Sequence, residues 1–95
     1  CCGAVKAACD GVTLGNITAL LANIQPAVDA VKTNVDAPYN SGNPAFVNAA
    51  IAQNVHHTIS EIKEMSTILA EMEAAGEIAI KGGVYQLASG AVQWL

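Results

Sequence analysis

Cys2 stands directly before a run of helix formers, Gly3-Ala4-Val5-Lys6-Ala7-Ala8. A thiol at a helix start is favoured as the thiolate, because the first N–H groups lack intrahelical acceptors and the dipole is positive there. Such a thiolate is a metal ligand, but zinc normally takes three or four protein ligands. Cys9 follows about two turns later, on the same side of the helix and too far along it to share a metal with Cys2. Cys1 fills the place before Cys2 and reads as a bystander. His56 and His57 are adjacent, so on a helix they point about 100° apart and do not chelate one metal together. His57 and Glu61 share a face, which reads as a solvated helix surface. Lys63, Glu64, Glu71 and Glu73 form a charged surface with no general-acid pair. Asp29 and Asp36 have no catalytic partner pattern.

Those residues must be placed by a small chain. It has 95 residues, 53% hydrophobic, with much of that Ala and Val and only 4% aromatic. One domain at most is expected. Its core must be made of small side chains, so it needs close packing or a larger partner surface. The net charge is -4 and the four Lys+Arg do not cluster, which argues against nucleic acid and against an anionic membrane surface as partners. No apolar run reaches the length of a membrane span. An odd count of three cysteines fits a reducing or metal-loaded setting better than a disulfide framework.

The pattern predicts a first helix over Gly3 to Cys9, closed by Asp10-Gly11. A second helical segment runs from Leu14 to about Lys32, carried by Ile17, Leu20, Leu21, Ile24 and Val28. Pro26 breaks it near Gln25. A polar loop covers about Thr33 to Asn43. Asn43-Pro44 then starts a long helix to about Met65. Ser66 re-caps a shorter helix whose apolar face is Ile68, Leu69, Met72 and Ala75, and Gly76 stops it. Met65 and Met72 read as core fillers, and Cys9 as core-facing. Ile78 to Leu87 and Ala91 to Leu95 read as strands around Ala88-Ser89-Gly90, with Gly82-Gly83 marking a close backbone approach or a bulge. Such a pair is marginal alone and is expected to join a larger sheet. Tyr85 and Trp94 flank it as packing or subunit-contact residues.

These segments resemble a known family in their joint order and spacing. Cys2-Gly3-Ala4-Val5-Lys6-Ala7 is similar to the second half of the His-x-x-Cys-Gly zinc motif of β-class carbonic anhydrases. Leu14 to Leu21 and Ile24 to Val28 resemble that family's helical linker. Asn54-Val55, Ile62 and Ser66 to Leu69 resemble its Asn-Val … Ser-Pro-Ile-Leu stretch. Gly76 to Tyr85 and Ser89-Gly90-x-Val92 resemble its closing strand and hairpin. Thr67 stands where the family usually has Pro, and Gln86 where it has Asp.

The resemblance implies an α/β fold, a mostly parallel sheet flanked by helices with an antiparallel C-terminal strand. Residues 1–95 would be the C-terminal half of that single domain, supplying mainly helices plus the terminal β-strands. It implies a zinc enzyme that reversibly hydrates carbon dioxide to bicarbonate and a proton, on two Cys and one His. Zinc so held brings the pKa of a water down to about 7, which makes a nucleophile at neutral pH. Cys2 maps onto one zinc ligand, and the backbone of Gly3 and Ala4 would line the metal pocket. No catalytic residue maps within the chain, since the family's Asp-Arg pair, its other Cys and its His all belong upstream. A homodimer or larger homo-oligomer is implied, and the lone half is expected to be inactive. Two other activities stay open on the same fold: hydrolysis of carbon disulfide or carbonyl sulfide, and a non-catalytic domain that lost the metal.

Overall fold

Three short helices open the chain in the computed structural model, which describes residues 2–95; Cys1 lies outside the described residues. They are α1 (Gly3–Cys9), α2 (Asn16–Ala22) and α3 (Gln25–Val31). α1 stops where Gly11 takes a φ of 67°, a left-handed conformation that suits glycine. The Gly11 and Val12 amides there donate back to Ala8 and Ala7. The expected break before Pro26 is present: Asn23 and Ile24 separate α2 from α3, their amides donating to Leu20 at 3.2 Å and Leu21 at 2.9 Å in tight turns. Pro26 then lies in the first turn of α3, where its missing N–H costs nothing.

α4 (Pro44–Met65) and α5 (Thr67–Ala74) have the predicted bounds and caps. The Asn43 carbonyl accepts from the Val47 amide at 3.1 Å. Ser66 Oγ accepts from the Leu69 amide at 3.3 Å. Gly76, with φ 79°, closes α5, and the Glu77 amide reaches back to the Met72 carbonyl at 2.9 Å, the bond of a Schellman ending.

The strands are shorter than the period-two pattern predicts. β1 (Gly83–Tyr85) pairs antiparallel with β2 (Val92–Trp94) in the register Gly83↔Trp94, Val84↔Gln93, Tyr85↔Val92. Residues 78–82 belong to no strand; the Gly82 carbonyl accepts from the Leu95 amide at 3.0 Å, and the Ile80 amide donates to Glu73 Oε2 at 3.1 Å. A ladder of two strands ends where the partner ends. Among the described residues the sheet has only these two strands.

The chain divides into two compact units, up to Asn54 and from Val55 on, with the boundary inside α4. The first unit holds the core: Val5, Ala8, Cys9, Leu21, Ile24, Val28, Val31, Phe46, Val47 and Ala50 form one buried cluster. Phe46 is its one ring and is fully buried, with Tyr39 tilted against it at 5.4 Å between centroids.

The second unit buries no large apolar side chain completely among the described residues. The expectation that Met65 and Met72 fill a core is therefore corrected, since neither is buried. Met65 is not core but 87% exposed, and Ile68 and Leu69 on α5 are also exposed. Their helix faces are apolar, but no described element of this unit covers them. Gly82 does make the expected close approach: a Cβ there would collide with Val55 Cγ1 and meet Ile59 Cδ1.

Two measurements check this packing. Phe46→Ala is expected to cost about 3–5 kcal/mol, the usual range for emptying a buried aromatic site, read as a fall in the urea midpoint. Gly82→Ala is expected to cost roughly 1–3 kcal/mol by overpacking, and Val55→Ala in the same chain to recover part of that loss.

Candidate metal centre

Cys2 has extended backbone (φ -76°, ψ 118°) and occupies the N-cap position of α1, where its sulfur makes no capping bond. Its carbonyl accepts from the Lys6 amide at 3.0 Å, so the residue is tied to the helix through its backbone only. The side chain is exposed. Gly3 and Ala4 are the first helical residues, and their N–H groups are first-turn donors without an intrahelical acceptor. The space at Gly3 is open, with nothing within 4 Å of where a Cβ would stand. A thiol beside free space and backbone donors suits a metal ligand.

α1 is seated by its other face. Val5, Ala8 and Cys9 are buried in the core. Burial pushes the Cys9 thiol up from its ordinary value, and the nearby Asp10 carboxylate adds to this. Cys9 is therefore a core residue, as its place on the first helix implied. At the far end of α1, both oxygens of Asp10 are taken by Ser41: Oδ1 accepts from the Ser41 amide at 2.7 Å and Oδ2 from its hydroxyl at 2.6 Å. The hydroxyl, then the amide, hold the Asp10 carboxyl below the usual carboxylate range.

Among the described residues the remaining polar groups form no metal site. His57 Nε2 lies 3.1 Å from Glu61 Oε1, one turn along α4, without the alignment of a hydrogen bond. Lys63 pairs with Glu73, whose other oxygen takes the Ile80 amide. The Lys63 ammonium, then that amide, pull the Glu73 carboxyl down. Among the described residues no three His, Cys, Asp or Glu side chains come together to hold a metal. Two open hollows, of about 510 Å³ along residues 34–45 and about 550 Å³ between Ile59, residues 79–82 and Trp94, do not have Cys2 in their lining. Among the described residues Cys2 is thus an exposed thiol, and no ligand set forms around it.

The carbonic anhydrase family profile matches residues 1–92. The chain belongs to that family, in its β-class. No curated protein and no solved structure matches it. No helix among the described residues is long and apolar enough to cross a membrane. The Asp10–Ser41 contact went unread in the sequence, because it spans 31 positions and follows no periodicity.

Two outcomes test this description. Alkylation of the native chain is expected to modify Cys2 readily and Cys9 only after unfolding, read by peptide mass mapping. The second concerns pH. The folded pKa values of Asp10 and Glu73 lie below their ordinary values, so each carboxylate adds stability above the ordinary value and loses it as pH falls through the lower folded one. The urea midpoint is expected to drop on acidification below about pH 4, and Asp10→Asn with Glu73→Gln to flatten that drop.

Proposed function

We propose that this chain contributes Cys2 as one of three protein ligands to the zinc of a β-class carbonic anhydrase. The observation that carries the reading is the exposed Cys2 thiol, uncommitted to the helix cap, at the head of the Cys-Gly-x-x-Lys-Ala segment of a chain matched over residues 1–92. The reaction is the reversible hydration of carbon dioxide to bicarbonate and a proton. Bound zinc supplies Lewis acidity and a water activated at neutral pH. The chain's own residues do the holding. Cys2 gives a charged, soft ligand. The first-turn N–H groups of Gly3 and Ala4 line the metal side of the pocket and favour negative charge there. The core face of α1 keeps both in place.

In this reading residues 1–95 form the C-terminal half of a single α/β domain. The second Cys, the His and the Asp-Arg pair come from the preceding half, together with the parallel strands that β1 and β2 would extend. The exposed Tyr85, Leu87, Val92 and Trp94 support burial against that sheet or a second subunit in a homodimer or larger assembly. A two-stranded sheet is marginal by itself, which agrees.

Stopped-flow carbon dioxide hydration tests the reading. The protein carrying the upstream Cys-x-Asp-x-Arg and His segments is expected to turn over with zinc, and residues 1–95 alone to show no zinc-dependent rate. Cys2→Ser is expected to lower kcat/KM by more than about a hundredfold, since disturbing even an outer-shell partner of a metal costs 10–100-fold. Zinc-dependent turnover by residues 1–95 alone, or full activity in Cys2→Ser, would overturn it.

A further inference from the structure

We propose that Asp10 is a positioning residue for Cys2: clamped by Ser41, it fixes where α1 sits along its own axis, and hence where the thiol at the opposite end stands. The inference rests on the reading of Cys2 as a zinc ligand. It starts from how weakly α1 is otherwise indexed. The buried face of α1 is Val5, Ala8 and Cys9. These short side chains keep the helix on the core but form shallow ridges, which oppose sliding and rolling less than large ones do.

The clamp provides what that face lacks. Both carboxylate oxygens accept from one residue, at 2.7 Å and 2.6 Å, so the plane of the carboxylate is fixed as well as its position. Charge-assisted bonds of this kind are about twice as strong as neutral ones. Each end of the clamp is anchored in turn. Asp10 caps α1, its amide donating to the Lys6 carbonyl at 3.0 Å. Ser41 sits in a loop closed by the Gly42 amide on Asn40 Oδ1 at 2.9 Å and the Asn43 amide on the Asn40 carbonyl at 3.1 Å. Asn43 Nδ2 also donates to the Asp36 and Pro38 carbonyls, both at 3.0 Å. The clamp thus joins two stiff pieces 31 residues apart in sequence. A helix transmits an axial shift along its length, here about 12 Å from Asp10 to Cys2 at 1.5 Å per residue. Metal–ligand distances tolerate only about 0.2 Å, so a sub-ångström slip at Asp10 reaches the ligand at full effect.

Amide NMR of the metal-free chain tests this, comparing the native sequence with Asp10→Asn, Ser41→Ala and Ser41→Thr. The expected result is that Asp10→Asn and Ser41→Ala move the amides of Gly3, Ala4 and Val5 as well as those near residues 10 and 41, with helix content unchanged by circular dichroism. The same three amides are expected to titrate with a midpoint below the usual carboxylate range in the native chain and to lose that titration in Asp10→Asn. In a Cys1→Ser background, the alkylation rate of Cys2 is expected to change by at least about threefold, as thiol reactivity follows its electrostatic surroundings. Ser41→Thr, which keeps the hydroxyl and the amide, should restore the native pattern. Shifts confined to the neighbours of residues 10 and 41, with Cys2 reactivity unchanged, would overturn the inference. The metal reading fails separately: Cys2→Ser would then leave the zinc content of the zinc-loaded protein untouched, whatever the amides of α1 do.

Discussion

The placement of Cys2 and of the helix behind it depends on the burial of Phe46 among small aliphatic side chains. α1, α2 and α3 are each seven residues long, well under the length at which an isolated helix persists in water. None has a side-chain N-cap bond. Their helicity therefore comes from the core they share, in which Phe46, Val28 and Val47 are the largest fully buried side chains. Alanine and valine let the short helices approach closely, and the single ring fills the space that they leave. Once α1 is pinned in this way, its last turn meets the loop before α4 and its first turn presents Cys2 outward. A side chain at the head of a seven-residue helix is only as well placed as the core beneath that helix.

The second unit shows the opposite balance. Its ties are polar and capped: Ser66 on the Leu69 amide, Lys63 on Glu73, Glu73 on the Ile80 amide. Its apolar side chains are mostly displayed, Met65 at 87% exposure, Leu87 at 79% and Trp94 at 70%. Hydrogen bonds and surface ion pairs contribute modestly to stability, so this unit has defined local structure and little buried area to hold it. Such a composition suits elements that complete a larger sheet or a subunit contact.

The helices were legible because their signals are local. The Asn43-Pro44 start, the Ser66 cap, the Gly76 stop and the Pro26 break all act within one turn and all hold. The strands were legible in place but not in length, since a strand extends only as far as its partner and that partner is a matter of tertiary pairing. Met65 was misplaced for a related reason: periodicity says which face of a helix is apolar, not whether another element covers it. At the site, the place of Cys2 directly before α1 and of Cys9 on its buried face followed from spacing. The Asp10–Ser41 clamp did not, because a contact between a helix end and a distant loop leaves no period in the sequence.

The claim at the centre is that Cys2 binds zinc as one of two thiolates. X-ray absorption at the zinc edge, on the metal-loaded protein carrying the upstream motifs, tests it most directly. The account predicts two sulfur neighbours at about 2.3 Å, falling to one in Cys2→Ser. A sulfur count unchanged by that substitution would contradict it.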